Sequence, residues 1–173
     1  MSFYFDNAAT TFPKPECVYS SMDSFYRKHG GNAGRGQYKL AAESSKIIFE
    51  TRGFIQKILC SPNKDVIFAP SATVALNMVI QGLLSDDKKK TVYISPFEHN
   101  SVTRVLHHFE KIGKIRVRKL FVSQNFEYEI EKINAQFAEL PPDIVIVSHA
   151  SNVIGLVAPV LEIFAVAKKY GAL

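Results

Sequence analysis

Three polar clusters carry residue types able to do chemistry, and each follows a short apolar run. Pro70-Ser71-Ala72-Thr73 combines small side chains, two hydroxyls and the free N–H groups of a helix start, a combination that holds an anionic group. Pro96-Phe97-Glu98-His99-Asn100-Ser101 supplies an imidazole, which stacks on a flat ring or moves a proton near neutral pH. His149-Ala150-Ser151-Asn152-Val153-Ile154-Gly155 supplies an amide on a turn. Taken singly, each has an ordinary explanation. Ser71 and Thr73 are common helix caps, a lone histidine is a cap or a surface residue, and Asn152 and Gly155 suit a turn. Capping does not explain the same polar enrichment after three of the candidate strands. Together the clusters would line one crevice.

The elements that must position them alternate along the chain. Pro13 and Pro15 open a helix carrying Val18, Met22 and Phe25 at helical spacing, and Gly30-Gly31 stops it. Residues 32–37 form a glycine-rich connection. A long helix then runs to about Cys60, with Ile47, Ile48, Phe54, Ile55, Ile58 and Leu59 on one stripe that is expected to face a core. Strands are expected at residues 65–69, 91–95, 115–122 and 143–148, the third nearer an edge and the last covered on both faces. Helices between and after them carry Ile80 and Leu83, then Val105 and Leu106, then Ile133 and Phe137, then Ile163 and Ala167; Gly113 and Gly171 act as stops. The fold class is therefore α/β, a largely parallel sheet with helices on both faces, whose ligands sit at the carboxyl ends of the strands. Ala172-Leu173 looks like the opening of another buried strand, so a truncated chain is expected.

Composition narrows the function. The 173 residues are 47% apolar and 21% charged, which suits one ordinary folded domain rather than a disordered or collagen-like chain. No apolar run approaches the roughly 18–20 residues of a membrane span, and the first residues lack the positive flank of a secretory signal. Two cysteines, Cys17 and Cys60, are too few for a disulfide framework or a four-cysteine zinc site, and both read as packing residues in a reducing, cytoplasmic setting. The net charge of +5 can attract nucleic acid, but the basic residues are scattered and Lys88-Lys89-Lys90 reads as a solvated loop. There is no Walker-type loop and no dinucleotide fingerprint, since Gly34-Arg35-Gly36 follows no strand. His107 and His108 are adjacent on a helix and diverge, so no metal site is expected.

Five motifs in register resemble the cysteine desulfurase family within the class V aminotransferase group of pyridoxal-phosphate enzymes. They are Tyr4-Phe5-Asp6-Asn7-Ala8-Ala9-Thr10-Thr11, Gly31-Asn32-Ala33-Gly34-Arg35-Gly36, Ser71-Ala72-Thr73-Val74-Ala75-Leu76-Asn77, Glu98-His99-Asn100-Ser101-Val102 and the stretch from Ser148 to Gly155. The resemblance runs from Tyr4 to Leu173. It implies part of the large domain of a fold-type I transferase: residues 1–30 as an N-terminal segment and helix, residues 31–173 as an incomplete cofactor-binding domain, and a C-terminal half beyond Leu173. It implies pyridoxal 5'-phosphate as cofactor, with Ala72 and Thr73 at the phosphate, His99 stacked on the ring and relaying protons, and Asn152 near the phenolic oxygen. Asn7, Ala8 and Arg35 fall at substrate-pocket positions. Val74 departs from the pattern, standing where the family often has glutamate.

The implied activity removes sulfur from L-cysteine as an enzyme persulfide and releases L-alanine, with a homodimer, a small cysteine-like amino acid and a sulfur-acceptor protein as partners. A cofactor of this kind is an electron sink that the protein orients and tunes. The family's anchoring lysine, its pyridinium carboxylate and its persulfide cysteine are expected past Leu173, so these residues alone are expected to be inactive. The alternatives are a lysine-less module binding pyridoxal phosphate or another phosphate ester, or one half of a split enzyme. Nucleic-acid binding is the remote third.

Overall fold

The structure, a computed structural model, describes residues 3–36 and 38–173. Met1, Ser2 and Gln37 lie outside the described residues, and with them the first residues of the N-terminal stretch and the end of the 32–37 connection. The chain divides into two compact units, Met1–Phe68 and Ala69–Leu173.

The first unit holds α1 (Glu16–Lys28) and α2 (Lys39–Ile58). Glu16 in the first turn of α1, and Arg27 and Lys28 in its last, complement the helix dipole. The α2 stripe does not face a core: Phe54 is 63% and Ile58 79% exposed, and Ile47, Ile48 and Leu59 are exposed as well. Amphipathic spacing shows which face of a helix favours cover, not that a covering element is present. Cys17 and Cys60 are also exposed rather than packed, and both are free thiols. Cys60 takes a left-handed backbone (φ 49°) just past the end of α2.

The second unit is an α/β sandwich. Strands β1 (Lys90–Ile94), β2 (Ile115–Lys119) and β3 (Ile144–Ile146) pair in parallel in the order β2-β1-β3. Helices α3 (Ala72–Leu83), α4 (Asn100–Lys111), α5 (Ile130–Glu139) and α6 (Val160–Lys169) cover it. Alternation along β1 decides the layers. Val92 and Ile94 pack with Ile80 and Leu84 beside α3, and with Val102, Val105 and Leu106 of α4. Tyr93, between them, packs on the opposite face with Ile133 and Phe137 of α5 and Ile163, Val166 and Ala167 of α6. Its buried hydroxyl donates toward the carbonyls of Gln136 and Leu140, both at 3.1 Å.

Residues 65–69 do not form the expected strand; they have no ladder partner among the described residues, and Ile67 is 83% exposed. A strand exists by pairing, so an apolar pattern alone cannot make one. β2 is an edge strand of the described sheet, as its mixed alternation suggested. Its outward groups are met by side chains: Glu110 accepts the Val117 N–H at 2.9 Å, while Gln136 accepts the Phe121 N–H and donates to the Lys119 carbonyl. Such cover blunts an exposed edge. On the far side, Leu173 donates to the Asp143 carbonyl (3.1 Å) and accepts the Val145 N–H (2.9 Å), a parallel-ladder pair on the free edge of β3. Helices α4 and α6 both end in a left-handed glycine, Gly113 (φ 78°) and Gly171 (φ 74°). In each, the next N–H reaches back to the helix, Lys114 to Phe109 and Ala172 to Ala167, which reverses the chain toward the following strand. Among the described residues, no helix is long and apolar enough to cross a membrane.

Candidate functional site

Each of the three polar clusters stands at the start of a helix or on a loop of the second unit, and the local hydrogen bonds decide which groups remain available. At α3, Ser71 is the cap: its hydroxyl accepts the Val74 N–H at 3.2 Å and its carbonyl accepts the Ala75 N–H at 3.0 Å. The first four N–H groups of a helix have no partner within it. With those of Val74 and Ala75 engaged, the N–H groups of Ala72 and Thr73 are left without an acceptor among the described residues. They carry the positive end of the helix dipole. Asn77, one turn on, donates to the Thr73 carbonyl at 2.8 Å and reaches the Ser101 carbonyl of α4 at 3.4 Å, tying the two helix starts together.

At α4 the cap is His99. Its Nδ1 accepts the backbone N–H of Ser101 at 3.1 Å and lies 2.9 Å from the Ser101 hydroxyl. A backbone N–H can only donate, so in the neutral ring Nδ1 is the acceptor and the proton sits on Nε2. The capping explanation for His99 is therefore correct, and it does not compete with a chemical role. It fixes the tautomer and leaves an exposed ring with Nε2–H free.

The loop after β3 is organised by Ser151, not by Asn152. The hydroxyl of the buried Ser151 receives the N–H groups of Val153 (3.3 Å) and Ile154 (3.4 Å), and its carbonyl accepts that of Gly155. Asn152 stands exposed at the tip, and no hydrogen bond engages its side-chain amide among the described residues. Turn formation does not account for it.

Two adjoining cavities bring these groups together. One, of about 300 Å³, is lined by Thr73, Asn77, His99, Asn100, Ser101 and Arg104. The other, of about 320 Å³, is lined on one side by residues 96–100, including Glu98 and His99, and on the other by residues 151–154, including Asn152. His99 and Asn100 belong to both. The cavity lined by Thr73 is thus next to the cavity lined by Asn152, and His99 lines both. Neither is lined by a lysine. Larger volume alone is a poor guide: a space of about 550 Å³ lies along α4 and β2 and shares only Arg104 with the Thr73 cavity.

Asn7, Ala8 and Arg35 belong to the first unit. Asn7 accepts the Phe12 N–H at 3.3 Å and so holds the N-terminal turn. Ala8 is exposed beside it, and Arg35 is exposed in a bend whose preceding residue, Gly34, donates to Asn32.

Sequence reading overlooked three residues. Arg104 enters the Thr73 cavity one turn into α4, where helical spacing from Asn100 was the available signal. Glu98 was visible only as the residue before His99. Ser148 is where a polar side chain ends an apolar strand. The Glu98 Oε1 accepts the Ser148 N–H at 2.5 Å and its Oε2 accepts the Ser148 hydroxyl at 2.8 Å. Burial holds the Glu98 carboxyl above its ordinary value of 4.5, opposed by the two Ser148 bonds and by His99. Beneath this loop, Ser95 receives the Phe97 N–H and pairs with the Tyr128 hydroxyl at 2.6 Å; burial pushes that phenol up. Among the described residues, no group of three or more His, Cys, Asp or Glu gathers as a metal site would.

The family model for aminotransferase class-V matches residues 3–173. A cysteine desulfurase SufS of Plasmodium falciparum is 32% identical over 157 residues, covering 88% of this chain and 28% of that protein. A probable cysteine desulfurase of Aeropyrum pernix is 30% identical over 175 residues, covering 98% of this chain and 41% of that protein. Among solved structures, an apo cysteine desulfurase from Thermococcus onnurineus superposes with a TM-score of 0.89 at 23% identity, covering 99% of this chain and 42% of its own. SspA in complex with cysteine superposes with a TM-score of 0.85 at 23% identity, covering 49% of that chain. The chain spans less than half the length of these relatives and matches their N-terminal part.

Proposed function

The chain belongs to the aminotransferase class-V family, and from that premise we propose that it is the N-terminal part of a pyridoxal-phosphate-dependent cysteine desulfurase-like enzyme. The whole enzyme takes L-cysteine to L-alanine and leaves the sulfur as a persulfide on one of its cysteines, acting as a homodimer that passes sulfur to an acceptor protein. The cofactor, when bound, supplies the electron sink for cleavage at the amino acid.

The residues present fit such a group. The Ala72 and Thr73 N–H groups are two aligned donors without an acceptor, placed for a phosphate dianion. The His99 ring stands between that position and Asn152. Held by Ser101, it offers Nε2–H at a fixed place and covers a flat ring. The Asn152 amide is free to donate to an oxygen at the ring edge. Asn7, Ala8 and Arg35 serve the amino-acid substrate. No lysine lines either cavity, so the 173 residues bind and orient but do not turn over substrate alone.

One observation carries this reading: Thr73 and His99 line one cavity while His99 and Asn152 line the next. The test is a titration of the 173-residue chain with pyridoxal phosphate and with pyridoxal, followed by absorbance and calorimetry. Saturable binding of the phosphate form, with pyridoxal at least about tenfold weaker, is expected from charge-assisted hydrogen bonds to one anionic group. Equal binding of the two would sink the assignment of Ala72 and Thr73. The free donor pair also favours a second reading, a lysine-less site for phosphate esters in general. Pyridoxal phosphate and a sugar phosphate competing with equal strength would select it.

A further inference from the structure

Glu98 joins two loops that otherwise have no side-chain tie across the cavity among the described residues. It precedes His99 on the loop from β1 to α4. Its two oxygens take both donors of Ser148, which lies two residues past β3 and four before Asn152. We propose that Glu98 is the positioning residue of this site: its carboxylate clasps the His99 loop to the Asn152 loop and sets the spacing of imidazole and amide across the 320 Å³ cavity. The proposal rests on the cofactor reading for its functional consequence, but the clasp itself stands on geometry.

Each loop is internally tied, so the link between them is the variable part. The His99 loop is fixed at its start, where Ser95 receives the Phe97 N–H at 3.0 Å, and at its end, where His99 caps α4. The Asn152 loop is closed on itself: Ser151 gathers the turn, and the Ala158 N–H returns to the His149 carbonyl at 2.8 Å. These bonds make the loop one closed unit, and Ser148 stands at its root. A carboxylate is costly to half-bury unless its lone pairs are met. No Lys or Arg among the described residues forms an ion pair with Glu98. Ser148 meets it instead, one donor to each oxygen, which fixes direction as well as distance. A glutamine of the same shape keeps the N–H bond, and the serine hydroxyl turns to accept from its amide.

The test uses Glu98→Ala, Glu98→Gln and Ser148→Ala in the 173-residue chain, read by amide hydrogen exchange, NMR of residues 148–157 and pyridoxal phosphate titration. In Glu98→Ala the Ser148 amide is expected to exchange about tenfold faster and the cofactor to bind about tenfold more weakly, as loss of a charge-assisted hydrogen bond implies. Glu98→Gln is expected to restore both to within about threefold. Ser148→Ala, which removes only the hydroxyl, lies between them and replaces Glu98→Ala if that variant does not fold. Unchanged Ser148 exchange in Glu98→Ala, or Glu98→Gln as damaging as Glu98→Ala, overturns the clasp. A wild-type chain that binds no cofactor but whose Ser148 protection still depends on Glu98 overturns the cofactor reading and leaves the clasp standing.

Discussion

The Nδ1 atom of His99 accepts the backbone N–H of Ser101 at 3.1 Å, so the residue that starts α4 is also the one that presents a ring to both cavities. The two roles separate by substitution. Asparagine is a strong N-cap without an aromatic ring, whereas alanine is neither, and losing a cap costs about 1 kcal/mol. His99→Ala is expected to lose about that much in urea denaturation, and His99→Asn less than half of it. Both lose the stacking surface, and pyridoxal phosphate binds roughly three- to tenfold more weakly to each. Equal destabilisation by the two changes contradicts the capping role.

Ala72 is the first residue of α3, where proline is well tolerated because its missing N–H has no helical partner. Ser71 before it is already extended (φ −158°, ψ 162°), as a residue preceding proline must be. Ala72→Pro therefore deletes one free donor and spares the helix. Circular dichroism is expected to be unchanged, while the dissociation constant for pyridoxal phosphate rises at least about tenfold, the effect of one hydrogen bond to a charged group. Affinity for pyridoxal stays the same. A parallel loss for both ligands points to a distorted loop instead.

The half-buried carboxyl of Glu98 gives stability a pH dependence whose sign follows from that burial. Its folded-state value is raised above the ordinary 4.5, chiefly by burial. The folded chain thus keeps a proton that the unfolded chain has already released. The stabilisation is fully present below 4.5 and is lost as pH rises through the folded-state value. Urea stability measured from pH 4 upward is expected to fall across that window in the wild type relative to Glu98→Gln. A difference that grows in the opposite direction excludes Glu98 as its source.

The exposed stripe of α2 has a consequence in solution. Phe54 and Ile58 are 63% and 79% exposed, and Phe49 lies open on the same helix. Contiguous apolar surface of this kind favours association. Size-exclusion chromatography is expected to show concentration-dependent self-association, and Phe54→Glu with Ile58→Glu shifts the chain toward monomer. Identical elution of both proteins at all concentrations argues against this surface.

The architecture was legible wherever a periodic pattern and a local partner coincide. Val92, Tyr93 and Ile94 alternate because the strand has helices on both faces, and Gly113 and Gly171 mark helix ends through their positive φ. Residues 65–69 and the α2 stripe misled for one reason: an apolar pattern records a preference for cover, whereas pairing and burial depend on what lies alongside. His99 was found as a reactive residue and as a cap, yet only the distance to Ser101 shows that it is both.

Chain order thus specified the α/β class, the helix boundaries and the polar clusters, since propensity, spacing and capping act over a few residues. Tertiary structure decided which of those polar groups are already engaged. Ser71 and Ser151 are taken up by neighbouring N–H groups, and Asn152 is left free. Glu98 finds Ser148 fifty positions away. A hydrogen bond across that separation depends on how two parallel strands are aligned, and no local pattern encodes that alignment.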